Sequence, residues 1–500
     1  MPKQKQFLQA KKKKPEKGNK KQGPETANEF LAAGVDFEEA GEKWRAGDAA
    51  KSLRFFVRAT ETYDAGLQRF PQSVDLAYNK ARLQYEVASQ PRLLQHLPTP
   101  LIDLLQIALD SHRLALKIDP DNPDLLFNTA QVLTSLAETL SEGRASVETH
   151  RDDALRLFQE ALELFQRCLN VQEFKYSQAQ ENSPQEAASL SDANPANEAT
   201  ISGNTSNASE EEVWASVEEP ITKETLLDTA IAQLDTLAAI CTLGSSHVHG
   251  GLAWVKEYYR TELNDRINSY LSGTSHQHEV ALARAKFAAA ISEAAFRGGT
   301  LDLSTYEREL NTAFTHQDLD LGNDPQALCD RADAYLSFNA SVQNVLQQAQ
   351  STKLTQIGST CWKNITKALD SLTAASKLPE AENLPQIHLR RGDCELLRLH
   401  LGETPLEYDL AIKSAPTLLK NAEVYFRGAA ALAKRNDDAE EEQKEAEVKE
   451  LINKSFPENS EKMTSLIKLR RDLLGVDVEE MRDEGLLGEQ SVQKLGRLFT

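Results

Sequence analysis

The sequence predicts an all-α fold made by stacking helix pairs, and three observations predict it. Ala, Leu, Glu and Gln are abundant while only 6% of the 500 residues are aromatic, a composition that suits thin helices packed on small side chains. A short spacing recurs: a small residue, a large one four positions later, then Ala three after that. No alternation of strands with helices appears. The length exceeds what one compact core usually takes, whereas a stacked array grows by adding units around no single centre.

In chain order, residues 1–24 form a Lys-rich tail with almost nothing apolar to bury. Lys3 and Lys5 are followed by Lys11, Lys12, Lys13 and Lys14, then Lys17, Lys20 and Lys21. Disorder is expected there. The two lysine clusters fit a nuclear localisation signal, an RNA-contacting arm or a plain solubilising tail. Residues 25–175 read as helix, turn, helix, with apolar positions three and four apart. One helix ends near Arg45 and the next runs through Ser52, Phe56 and Ala59, joined at Gly47-Asp48. The same spacing returns at Ala108, His112 and Ala115, and at Ala154, Phe158 and Ala161. Pro120 stops one helix and Asn122-Pro123 starts the next. Gln90 to Pro100 reads as an inserted loop, and the turn around Gly143 as an extended one.

Residues 176–223 are rich in Ser, Asn, Glu and Gln and predict a disordered insertion. Within it Trp214 sits among Glu210, Glu211, Glu212, Glu218 and Glu219, either as a docking element for a basic surface or as a residue packing back on the next helix. Helical pattern resumes at Thr225 to Leu243 and Leu252 to Leu271, and residues 224–456 form a second set of repeats. The recurrent spacing falls there at Ala368, Leu372 and Ala375 and at Ala422, Phe426 and Ala429. Residues 457–500 read as a helical cap or tail.

These spacings, with Ala81, Ala332 and Gly392 as small residues on first helices and the "LALKIDPDNPDLLFNTAQVL" junction from Leu114 to Leu133, resemble the tetratricopeptide-repeat family. About two-thirds of the chain shares the pattern, as roughly five degenerate units. The resemblance implies a helical-repeat solenoid, a right-handed superhelix of antiparallel helix pairs, with a concave groove lined by first helices that takes a peptide, a helix or a protein tail. Candidate groove residues are Glu38, Asp75, Asn79, Arg82, Glu86, Asp124, Asn128, Gln131 and Glu138. Aligning on Gly47-Asp48 puts Phe37 and Gly41 where co-chaperones of the family use Lys and Asn to clamp a heat-shock chaperone's carboxylate. Asn79 matches a clamp asparagine, but Asp124 and Asn128 fall near later cationic places, so binding by that route is not expected.

No Gly-rich phosphate loop and no nucleophile, base or cofactor constellation emerges, so the chain is expected to be no enzyme and to need no cofactor. His247, His249, His276 and His278 make two H-x-H pairs in predicted loops, and no metal site is expected from them. The five cysteines, Cys168, Cys241, Cys329, Cys361 and Cys394, lie far apart and read as reduced core thiols. No stretch approaches the roughly 20 uninterrupted apolar residues of a membrane span, and no apolar run follows the Lys-rich start. A soluble, unsecreted protein of nucleus and cytoplasm is expected.

The net charge of -20 disfavours DNA and anionic membrane and favours basic partners, or serves solubility alone. An acidic groove, a lysine tail and an acidic insertion together point to a chaperone or assembly factor for a basic client such as a ribosomal protein or histone, with a role in ribosome biogenesis. The alternative is a scaffold subunit of a multiprotein complex.

Overall fold

The computed structural model of the protein describes residues 23–141, 144–191, 220–244, 249–346, 354–379, 381, 383–435, 440–454, 481 and 486. Every regular element among them is helical. The described residues divide into two compact units, the first drawn from within 1–140, 152–233 and 270–274 and the second from the remainder.

In the first unit, α1 (Ala27–Arg45) opens on a capping box in which the Thr26 hydroxyl accepts from the Glu29 N–H and the Glu29 carboxylate returns the bond to the Thr26 N–H. The chain turns at Gly47, and Asp48 caps α2 (Ala49–Arg69), as the sequence predicts. A second pair joins α3 (Val74–Ala88) to α5 (Leu101–Ile118), with a one-turn α4 (Pro91–Leu94) between them. The predicted loop is thus partly helical and tied down, because Leu93 is fully buried. Asn122 accepts from the Asp124 and Leu125 N–H groups and starts α6 (Pro123–Leu140), with Pro123 in the first helical position, where its missing N–H costs nothing. Opposite α6 lies α7 (Arg144–Ser191), and Phe127 meets Phe165 edge-on with centroids 5.4 Å apart.

Helix α7 corrects a boundary. The sequence predicts disorder from Tyr176, yet the helix runs on to Ser191. Residues 177–181 are exposed, so no apolar periodicity marks this stretch, but Gln, Glu and Ala favour helix without burying anything. Residues 192–219 and Trp214 lie outside the described residues, as does the tail from Lys3 to Lys21.

In the second unit α9 (His249–Tyr258) passes through a π-helical turn at Tyr259–Leu263 into α10 (Asn264–Leu271). The pairs α11 (Gln277–Arg297) with α12 (Leu303–Ala313), α13 (Pro325–Leu346) with α14 (Leu354–Ala375), and α15 (Leu384–His400) with α16 (Asp409–Ala433) follow, and α17 (Glu440–Lys454) packs on α16. Met481 and Leu486 join this core; the rest of 457–500 lies outside the described residues. Between the insertion and α9, α8 (Lys223–Leu243) is long and apolar enough to cross a membrane, which the sequence does not predict. Its most apolar window is 61% buried, and Leu226, Leu227, Ala230, Leu234 and Leu237 are core residues.

All fifteen residues of the recurrent spacing are buried, from Ser52, Phe56 and Ala59 to Ala422, Phe426 and Ala429. The packing explains the code. Phe56 of α2 packs against Gly41 of α1, so close that a Cβ on Gly41 would stand 2.5 Å from the ring. Phe426 of α16 covers Gly392 of α15 in the same way. A large side chain on the second helix fills the space that a missing side chain on the first leaves open, and backbones approach closely.

Candidate functional site

The nine predicted groove residues lie on α1, α3 and α6, the first helices of the first unit. Asp75, Asn79, Arg82 and Glu86 form one stripe of α3 at helical spacing; Asp124, Asn128, Gln131 and Glu138 form another on α6. What the structure brings together is Glu38, Arg82 and Glu86. The Arg82 side chain is only 4% exposed and is clamped by Glu38 from α1 and by Glu86 at 2.8 Å one turn along α3. Burial works against the charge, but Glu38 and Glu86 outweigh it and hold the guanidinium above its usual pKa. Glu86 also pairs with Arg45, which in turn pairs with Glu42. The second oxygen of Glu38 accepts from the Tyr63 hydroxyl at 2.6 Å, and that phenol is pushed up by burial and then by the carboxylate.

Three predicted groove residues are therefore buried among the helices, and two of them, Arg82 and Asn128, join one helix to another. Asn79 is buried and turns its amide to the Asp75 carbonyl of its own helix, 2.8 Å away. Asn128, fully buried, donates to the Tyr78 hydroxyl at 3.3 Å. A polar stripe at helical spacing reads the same whether it faces a cleft or a neighbouring helix, which is why sequence placed these three in a groove. Glu86 is engaged on both sides. Asp75, Asp124 and Gln131 are half-buried and Glu138 is exposed. Helix α6 carries both Asp124 and Glu138 and no Lys or Arg. Both cations of α3 are already matched, Arg82 as above and Lys80 by Asp64 at 2.6 Å.

Sequence reasoning missed the tyrosines of these joints: Tyr63, Tyr78 and Tyr85, whose hydroxyl meets the Ser135 hydroxyl at 2.8 Å. Their signal is a heptad, since Tyr78 and Tyr85 stand seven apart on α3 and both are buried. His112, the large residue of the second spacing, is also a core group. Its Nδ1 bonds the Ala108 carbonyl at 2.8 Å, Nε2 is buried without a partner, and burial pushes its pKa down to about 4.

Metal and thiol chemistry find no assembled site among the described residues, where no group of three His, Cys, Asp or Glu is placed to hold an ion. His247 lies outside them. His249 opens α9 and His278 sits in α11, so neither is in the loop that sequence predicts. Both ring nitrogens of His278 are used: Nδ1 accepts from the Asp320 N–H at 2.9 Å, leaving Nε2 to donate to Asp324 at 2.8 Å. All five cysteines are buried reduced thiols, and burial pushes the Cys361 thiol up to about 12.

No family model matches the chain. It is similar to UPF0656 protein C926.02 of Schizosaccharomyces pombe, 34% identical over 161 residues, which is 32% of this chain and 34% of the relative. An uncharacterized protein of Saccharomyces cerevisiae is 25% identical over 166 residues, 29% of this chain and 30% of that one. The matched stretch spans about a third of the length of these relatives. Solved structures that it resembles are a circular tandem repeat protein with novel repeat topology (11% identity, 94% of this chain and 99% of that chain, TM-score 0.28) and the human IFIT1 dimer with m7Gppp-AAAA (11% identity, 95% and 99%, TM-score 0.24).

Proposed function

We propose that the protein is a non-catalytic adaptor whose first unit holds a basic protein segment against α1, α3 and α6, as an assembly chaperone for a ribosomal protein or histone would. One observation carries this: α1, α3 and α6 together hold nine Asp or Glu against four Lys or Arg, and α6 has no cation of its own, so a lysine- or arginine-rich segment meets helices of net negative charge. The lysine tail fits entry into the nucleus from the cytoplasm.

The test is titration of the full chain with core histones and, separately, with pooled ribosomal proteins at low and moderate salt. Binding should weaken steeply with salt, and Asp124→Lys with Glu138→Lys should cost about tenfold or more in affinity. Binding to both pools that ignores this double reversal removes the reading. A scaffold is the second reading, favoured by Ile107 and Leu114, two turns apart on α5 and 48% and 47% exposed. Its interface would barely respond to salt.

A further inference from the structure

The outer face of α16 carries a pattern that the acidic composition hides. Lys413, Lys420, Arg427 and Lys434 follow one another at intervals of seven residues, all exposed. Beside them runs a second row at the same interval, Leu410, Thr417, Val424 and Ala431, of which Leu410 is 43% and Val424 55% exposed. Apart from Arg427, which α17 engages through Glu450, neither row is consumed by the fold. Ala411, Leu418, Ala422, Phe426 and Ala429 make the buried side of the helix, and α15 and α17 pack on that side. Among the described residues no carboxylate pairs with Lys420 or Lys434, and Lys413 has only the exposed Asp409 at 3.6 Å. Arg427 is shared between Glu423 and Glu450.

We infer that this face of α16 docks an acidic amphipathic helix of a partner protein, laid along it in the manner of a coiled coil. Cations seven residues apart stand about 10.5 Å apart along the axis, the interval at which a second helix presents carboxylates in register. The parallel row of Leu410 and Val424 supplies the apolar seam that such a helix buries, and each seven-residue step drifts by about 20° in the sense of a left-handed supercoil. An extended peptide shows side chains on one face about every 7 Å and cannot keep pace with the cations. A phosphate backbone has no counterpart for Leu410 and Val424. The site is opposite in sign to the proposed client face and independent of it: one unit takes a basic segment and the other an acidic helix, which is how an adaptor bridges two partners.

A photo-crosslinking amino acid placed at Thr417, between the two rows, tests this in the full chain expressed in its own cells. The peptide joined to it is sequenced by mass spectrometry. The expected result is a segment of another protein with Asp or Glu at seven-residue intervals beside an apolar row. Lys413→Glu, Lys420→Glu and Lys434→Glu together should cut its yield about tenfold with thermal melting unchanged, since all three side chains lie in solvent. A joined peptide without that pattern, one from this chain or a second copy of it, a nucleic-acid adduct, no adduct, or a yield indifferent to the triple reversal would each overturn the inference.

Discussion

Phe56 on Gly41 in the first unit and Phe426 on Gly392 in the second are the same device, yet the polar joints beside them are unlike. The first unit centres on a buried cation, Arg82, held between Glu38 of the neighbouring α1 and Glu86 of its own helix. The second buries an anion, Glu395, 2% exposed, against Arg398 at 3.3 Å and the Asn421 amide at 3.1 Å. It closes at α17, where Lys449 reaches Asp393 at 3.1 Å and Glu445 at 2.7 Å. Shape complementarity is thus repeated along the chain, whereas each polar joint is made once. Repeats stack wherever the knob and its space recur; the polar pairs mark which helix belongs beside which.

The strongest way to break the comparison is to remove the shared device. Phe56→Ala and Phe426→Ala should each cost about 3–5 kcal/mol, read by urea unfolding, and similar losses would confirm that the two rings do one job. Next come the joints. Arg82→Met takes their shared cation from Glu38 and Glu86, whose side chains are only 12% and 14% exposed, leaving Glu38 on the Tyr63 hydroxyl and Glu86 on Arg45, and should cost about 3–5 kcal/mol. Adding Glu38→Gln and Glu86→Gln should restore most of it. Lys449→Met should cost less, about 1–3 kcal/mol, because Glu445 is 38% exposed and water can take over.

A pH series sharpens the comparison further. His112 is accepted by the fold only as the neutral imidazole, its pKa down at about 4 against an ordinary value of 6.5. The unfolded chain therefore takes up the proton first. Stability is whole above about pH 6.5, falls as pH drops toward about 4 and is lost by about 3 kcal/mol in all. His112→Leu should flatten that slope in denaturant midpoints measured across the window. The smallest effect belongs to Arg113 and Glu160, a pair 2.8 Å apart but 41% exposed on each side. A double-mutant cycle there should give under about 1 kcal/mol.

Much of the fold is legible in sequence. Ser52, Phe56 and Ala59 and their counterparts announce packing because size alone decides whether two backbones can approach. Asp48 and Asn122 announce helix starts because a cap is a local bond. The candidate site is far less legible. Arg82 reads as a groove residue because one sequence does not say whether a stripe meets solvent or another helix; the answer depends on Glu38, 44 residues away. The helix beyond Tyr176 is invisible for the opposite reason, having no buried face to leave a period.

The π turn at Tyr259–Leu263 has a consequence for how such a chain tolerates change. Val255, Tyr259, Leu263 and Ile267 step by four residues along one line, and Val255, Leu263 and Ile267 are buried while Tyr259 meets Phe287 at 5.0 Å. A plain α-helix turns every 3.6 residues and would carry that line around its axis; the wide turn, with the Asn264 N–H reaching back to the Tyr259 carbonyl, takes up the surplus locally. A residue added to this helix would be taken up at such a turn before α11 begins, so its length could change by one while the pairs that follow keep their phase.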